Sequence, residues 1–255
     1  MSEGPQVLIR TEWLRRWLVG QTVVMASTRD TLAGEANANS GSRIDRVDCV
    51  GKHIFLRFTS GCVLHNHLLM KGRWRKYPGG MLIPPDDAWI QIDRGESVIC
   101  NLHGQMLEWM SEDEARQVIA SLGPDALKQP YPLDQIERNL IRSTLPITEA
   151  LLDQALLSGI GNTARSEILF TAQLDPRKQS CDLTPGEMER LHEQIVDILW
   201  ESYRSGGRWR HRVYRRNGEP CVECGAPIEM IRLAPTRRST YYCPSCQTEP
   251  LPSLF

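Results

Sequence analysis

Apolar and polar positions alternate over residues 52–67, on either side of Ser60-Gly61. Residues 89–92 and 97–100, on either side of Asp93-Arg94-Gly95-Glu96, read as a second hairpin. A period of two marks a half-buried strand, and a short glycine-containing break between two such runs predicts a hairpin. The first part of the chain therefore reads as mostly β, preceded by a helix over about residues 6–18. Small polar residues fill 34–42 (GEANANSGS) and predict a flexible loop. Past residue 110 the pattern turns helical. Ser111 and Glu114 have capping-box spacing ahead of residues 115–122, and Gly123-Pro124-Asp125 stops that helix. Residues 147–157 (ITEALLDQALL) predict a helix, Ser158-Gly159-Ile160-Gly161-Asn162 a turn, and the stretch to about Ala172 a second helix. Thr184-Pro185-Gly186-Glu187 predicts a strong helix start, with Met188, Leu191, Ile195 and Ile198 on one face.

Composition narrows the classes of function. The chain has 255 residues, with 30 Lys plus Arg against 31 Asp plus Glu, for a net charge of -1. A uniformly basic surface is excluded, so any affinity for nucleic acid comes from local clustering of charge. Residues 204–216 (RSGGRWRHRVYRR) are such a cluster. No apolar run is long enough to span a bilayer, which argues against a membrane partner. The opening residues lack a basic stretch followed by an apolar one, so the expected location is the cytoplasm or nucleoid. In that reducing setting the eight cysteines do not read as a disulfide framework.

Four of the cysteines are paired. Cys221-Val-Glu-Cys224 and Cys243-Pro-Ser-Cys246 are two CxxC knuckles separated by 18 residues. Two thiolates from each make a closed tetrahedral zinc site, structural rather than catalytic because no position is left for water. The intervening residues 225–242 suffice for a β-hairpin that carries Arg237, Arg238, Ser239 and Thr240 just before the second knuckle. On a rigid hairpin these reach a phosphate; otherwise they form a solvated strand. Cys49, Cys62, Cys100 and Cys181 read as core or surface thiols. Upstream, the helix that begins at Asn162 presents free N–H groups that suit an anion such as phosphate. The same residues also fit an ordinary helical hairpin packed on Leu151, Leu152, Ile168 and Leu169.

Taken together, these segments resemble one family. Residues 151–176 (LLDQALLSGIGNTARSEILFTAQLDP) resemble the helix-two-turn-helix of the formamidopyrimidine-DNA glycosylase and endonuclease VIII family, and 122–125 (LGPD) the segment just before it. Residues 213–225 and 237–247 resemble its zinc finger, Ser2-Glu3-Gly4-Pro5 its opening, and Gly51-Lys52 its hairpin lysine. Residues 67–74 (HLLMKGRW) resemble its intercalating loop. Gly161-Asn162, followed by Arg165, Glu167, Ile168 and Leu169, is closer to the endonuclease VIII branch. Residues 101–109 (NLHGQMLEW) also lack the Asp-Pro-Arg-Arg-Phe loop of the formamidopyrimidine branch. The resemblance implies an α+β fold: an N-terminal β-sandwich with flanking helices over 1–121, a helix-two-turn-helix domain over 122–212, and a β-hairpin zinc finger over 213–255.

It also implies a chemistry. Family members attack the sugar carbon that bears a damaged base with the N-terminal amine, exposed once Met1 is removed, and form a Schiff base. By that likeness Ser2 is the nucleophile, Glu3 the acid/base at the sugar, and Lys52 the holder of flanking phosphates that assists strand elimination. Asn162, Arg165 and Arg238 bind DNA, and Met70 wedges into the gap left by a flipped nucleotide. Zinc is the structural cofactor, damaged DNA, double-stranded or locally unpaired, the partner, and a monomer the expected state. Ser2 departs from the family's proline, and Gln6 replaces its second glutamate. A primary amine forms an imine that can be neutral, whereas proline forces a charged iminium. Three readings stand on the sequence. One is a base-excision glycosylase with abasic-site lyase activity. The second is a relative with weak or absent catalysis that binds abasic or distorted DNA. The third is a plain zinc-ribbon protein of transcription or translation, which explains nothing upstream of Cys221.

Overall fold

The computed structural model describes residues 2–27, 29–80, 88–104 and 106–248. Met1, whose removal bears on Ser2, and Gln105, within the 101–109 segment, lie outside the described residues. The chain forms two compact units. One comprises Met1–Ser2 and Gln6–Ser121, the other Glu3–Pro5 and Leu122–Phe255. No described helix is long and apolar enough to cross a membrane.

Helix α1 (Gly4–Leu18) belongs to the first unit from Gln6 onward. Val7, Leu14 and Leu18 are fully buried, one stripe of the helix, and Arg15 and Arg16 in the last turn complement the helix dipole. Two four-stranded antiparallel sheets follow. One has the order β1 (Val24–Ser27), β6 (Ala88–Asp93), β7 (Ser97–Leu102), β5 (Arg73–Pro78). The other runs β2 (Ile44–Val50), β3 (His53–Phe58), β4 (Cys62–His67), β8 (Met106–Ser111). Ile54, Leu56 and Leu64 of the second sheet share one core with Met25, Trp74, Ile90 and Ile99 of the first, which makes the unit a β-sandwich. Both predicted hairpins form, as β3–β4 and β6–β7. Gly61 in the first turn sits at φ 89°, a conformation few other residues adopt.

Residues 34–42 are not the loop their composition suggests. Most of that stretch lies in α2 (Asp30–Ala38), and Leu32 and Ala36, four apart, are buried in the sandwich core. Two apolar side chains on one face suffice, because Asn39 ends the helix with both its backbone N–H and its side-chain amide donating to the Glu35 carbonyl. The capping box at Ser111 forms as expected and starts α3 (Glu112–Ala120).

In the second unit, α4 (Leu133–Ile141) was hidden in the sequence between Pro132 and a polar run, with only Ile136 and Leu140 buried. The expected helix over 147–157 stops after one turn as α5 (Ile147–Ala150). Local polar side chains then take over the backbone. Asp153 accepts from the Ala155 N–H (2.9 Å), while the Gln154 amide donates to the carbonyls of Leu152 and Ile160 and accepts from Gly159. The result is a two-turn connection into α6 (Asn162–Thr171). The Thr184–Glu187 box opens α7 (Pro185–Arg204), which buries Met188, Leu191, Ile195 and Ile198 as the periodicity predicts. β9 (Glu229–Arg232) and β10 (Ser239–Tyr242) pair as an antiparallel hairpin, followed by the short α8 (Pro244–Gln247).

One buried polar cluster of the sandwich couples its stability to pH. On β3 and β4, His53 Nδ1 lies 2.9 Å from His65 Nε2, and His65 Nδ1 lies 2.9 Å from Glu108 Oε1. Burial, then the charges of His67, His65 and Lys52, pull His53 down to about 3. Burial, then Lys52 and His65, pull His67 to about 4, and burial also lowers His65. In an unfolded chain histidine titrates near about 6.5, so below that pH the unfolded state binds protons the native state refuses. The stability these rings contribute is complete above about pH 6.5 and falls as pH drops toward their folded values. The thermal midpoint should therefore decline between about pH 6.5 and 5, before most carboxylates titrate, and His53→Phe should flatten that decline. An unchanged slope in the variant would remove the cluster as its cause.

Candidate nucleic-acid interface and active site

Glu3 is 1% exposed. Its carboxylate accepts the backbone N–H groups of Thr163 (2.8 Å), Ala164 (3.0 Å) and Gly161 (3.2 Å), which are the unpaired donors at the start of α6. The expectation of free N–H groups awaiting a phosphate is corrected here: a protein carboxylate already holds them. The neighbouring backbone fixes the arrangement, with the Gly4 N–H donating to the Gly159 carbonyl at 2.8 Å. Gly161 is required for space, since its backbone is extended (φ -121°, ψ -165°) and any residue could adopt it. A Cβ there would fall 2.5 Å from Glu3 Cγ and 2.7 Å from Oε1.

Asn162 and Arg165 on α6 meet the finger hairpin. The Asn162 side chain donates to the Ser239 carbonyl at 3.0 Å. Arg165 donates through Nη2 to Asn162 Oδ1 (2.7 Å) and to the same Ser239 carbonyl (2.8 Å). Arg165, expected from the resemblance to bind DNA, is 0% exposed. Its role in this geometry is to orient Asn162, which stays partly exposed. Burial draws Arg165 down to about 10 against the opposing pull of Glu149, whose Oε1 lies 3.7 Å from Nη1. Glu149 also accepts the Thr236 N–H at 2.9 Å, and Thr148 and Thr240 share a hydroxyl bond at 2.9 Å. These contacts tie the turn that presents Arg238, exposed beside Arg237 (φ 52°), to α5 and α6.

Sequence reasoning missed Glu149 and gave Glu167 no role. Each is an acidic residue inside an apolar helical stretch, and that mismatch was the available signal. Glu167 accepts the N–H groups of Arg212 (2.8 Å), Val213 (3.2 Å) and Tyr214 (2.8 Å), fixing the approach to the finger. Burial raises its pKa despite those bonds. Part of the basic run is spent inside the protein. Arg212 pairs with Glu201 at 3.0 Å and Arg216 with Glu219 at 2.8 Å, whereas Arg208, Arg210 and Arg215 are exposed.

The cysteines of the two knuckles converge, with their ligand atoms all within 4.8 Å of one another. Sulfurs bound at about 2.3 Å around a tetrahedral zinc stand roughly 3.8 Å apart. Cys221 and Cys246 are 3.9 Å apart and Cys224 and Cys243 3.5 Å, so the four thiols fit structural zinc. Among the described residues Cys49, Cys62, Cys100 and Cys181 join no such cluster.

In the other unit, the Ser2 N–H donates to the Leu69 carbonyl at 3.0 Å. Leu69 itself sits at φ 47°, a left-handed turn held by its N–H bonding to His67 Nδ1 (3.0 Å). Lys52, at the β2–β3 turn, is 6% exposed, which removes the reading of a lysine waving in solvent. Met70 is 64% exposed on the turn before β5, which removes the reading of a core methionine.

A β-sandwich, a helix-two-turn-helix and a four-cysteine hairpin finger in this order define a class of DNA base-repair protein. The chain matches the Formamidopyrimidine-DNA glycosylase N-terminal domain over residues 1–110 and the Formamidopyrimidine-DNA glycosylase H2TH domain over 122–211. It also matches the zinc finger found in FPG and IleRS over 218–248. Formamidopyrimidine-DNA glycosylase of Thermus thermophilus is 30% identical over 98% of this chain and 99% of its own. The enzyme of that name from Streptococcus pneumoniae is 31% identical over 97% and 99%. Endonuclease 8 1 of Mycobacterium tuberculosis is 28% identical over 97% and 100%. The chain belongs to the formamidopyrimidine-DNA glycosylase family. Its fold matches Lactococcus lactis Fpg solved with DNA containing an abasic site, with a TM-score of 0.85 at 24% identity over 97% of this chain and 100% of that one.

Two expectations test this geometry. Gly161→Ala should expel the Glu3 carboxylate, cost roughly 1–3 kcal/mol, and strip hydrogen-exchange protection from the Thr163 and Ala164 amides; protection equal to wild type would sink the packing argument. Cys224→Ser should lose bound zinc by metal analysis, and the amides of β9 and β10 should then exchange freely, because in such fingers metal binding supplies on the order of 10 kcal/mol of folding energy.

Proposed function

We propose that this protein acts in base excision repair as a DNA glycosylase with abasic-site lyase activity, using the Ser2 amine as nucleophile. The observation that carries the reading is the Glu3 carboxylate, buried and held by three backbone donors. A carboxylate on a loose terminus would need no such cradle. With Met1 removed, the Ser2 nitrogen becomes a primary amine, and the Leu69 carbonyl supplies an acceptor that orients it. An α-amine titrates near about 8, so free base is available close to neutrality.

In the proposed reaction the amine lone pair attacks C1′ of the damaged nucleotide. The bond to the base breaks, and its electron pair leaves with the base, which takes up a proton. Glu3, already bound by donors, accepts a proton from the attacking nitrogen and passes it to O4′ as the sugar ring opens. The resulting Schiff base acidifies the proton on C2′, whose loss expels the 3′ phosphate. Water then hydrolyses the imine and regenerates the amine. Lys52 faces flanking phosphates, and Met70 fills the space of the extruded nucleotide. Asn162, braced by Arg165, binds a phosphate with Arg238, and zinc holds the hairpin that carries Arg238. Damaged DNA is the partner, and a monomer suffices.

Borohydride trapping on abasic DNA, with intact mass to establish loss of Met1, tests the reading. Wild type should form a covalent adduct at Ser2. Glu3→Gln should lose base excision by on the order of 10²–10⁴-fold while still binding abasic DNA. Met-free protein that binds abasic DNA tightly yet yields no adduct would falsify the enzyme and leave a sensor of damaged DNA.

A further inference from the structure

A second surface of the β-sandwich unit carries the chemistry of nucleic-acid binding, and no step of the proposed reaction uses it. A groove of about 420 Å³ runs between α1 and β5. Arg10, Trp13 and Trp17 line it from the helix, and Arg75, Lys76 and Tyr77 from the strand. The Arg10 guanidinium lies 4.1 Å from the Trp13 ring centroid, and Trp13 and Trp17 are 5.9 Å apart. Arg10 and Arg75 line the same groove, and burial first, then the charge of Arg75, lowers Arg10. Among the described residues no carboxylate stands within ion-pair distance of Arg10, Arg73, Arg75 or Lys76. Like charges brought together without a counter-ion cost stability unless an anion joins them.

β5 is an edge strand, and basic side chains on an edge discourage strand pairing between molecules. That purpose accounts for Arg73, Arg75 and Lys76. It does not account for Arg10 and Trp13 of α1, which line the same groove.

We propose that this groove binds an unpaired DNA strand, with bases stacking on Trp13, Trp17 and Tyr77 and phosphates meeting Arg10, Arg75 and Lys76. Stacking accepts any base, and cations spaced along a groove track a backbone, which is the combination single strands require. The place is also right. Arg73 is three residues beyond Met70, at most about 11 Å along the chain, so a strand leaving the Met70 wedge reaches the groove within one or two nucleotides. The surface would favour lesions flanked by single-stranded DNA, as in a bubble or at a fork. The location beside a wedge rests on the proposed repair function; binding to a single strand does not.

The test uses full-length zinc-loaded protein with two probes, labelled oligothymidylate and a duplex of equal length containing one abasic site. Arg10→Gln/Arg75→Gln should weaken oligothymidylate binding about tenfold or more, with borohydride trapping on the duplex unchanged. Trp13→Phe should keep strand binding and Trp13→Ala should lose it. If Trp13→Ala fails to fold, the double arginine variant, altered at accessible positions, still decides. Unchanged oligothymidylate affinity in that variant overturns the proposal, as does an equal loss on both probes, which would mean charge alone. If wild type forms no adduct on any DNA while the variants still lose oligothymidylate, the repair reading falls and the groove stands.

Discussion

A helix that starts after a glycine-rich turn offers its first N–H groups to any anion. In this protein the anion is the carboxylate of the third residue of the chain. Glu3 lies nearly 160 residues from α6 in sequence, yet three amides of that helix start close on it, 2.8–3.2 Å away. Everything proposed for the active site depends on this contact. It gives the carboxylate proposed as acid/base a defined position, and it explains why residue 161 is glycine. The space a Cβ would need is filled by the glutamate itself.

The same helix solves a second problem with buried charge. Arg165, Glu149 and Glu167 are all fully enclosed, an arrangement that is unfavourable unless each charge has partners. Their partners are backbone groups of the finger and its approach: the Ser239 carbonyl, the Thr236 N–H, and the N–H groups of residues 212–214. A short hairpin cannot bury enough apolar surface to hold its own shape. Zinc closes it at the knuckles, and these buried charges fasten its tip and its entry to α5 and α6. Arg238 is thereby presented from a braced turn rather than a mobile one.

Much of this was visible in the chain. The strand alternation, both capping boxes, the face of α7 and the cysteine spacing depend on near neighbours, and the structure has each of them. What escaped depended on burial or on side-chain bonds to the backbone, which periodicity does not reveal. Residues 34–42 look like a loop until Leu32 and Ala36 find a core. Residues 147–157 look like a helix until Asp153 and Gln154 divert the backbone. Arg165, taken as DNA-binding from the resemblance, is fully buried, and its guanidinium bonds Asn162 Oδ1 and the Ser239 carbonyl.

By itself the sequence determined both sandwich hairpins, the capped helices, the zinc ligands and the family, because spacing and local hydrogen bonding set those. Through the family resemblance of the opening residues it also pointed to Ser2 and Glu3, whose roles are proposed. The tertiary structure decided which donors Glu3 would occupy, that Lys52 is buried and Met70 exposed, and that Arg10 and Arg75 line one groove. Those outcomes follow from which surfaces meet after folding, and burial and counter-charge are properties of a place in space that a position in a chain does not possess.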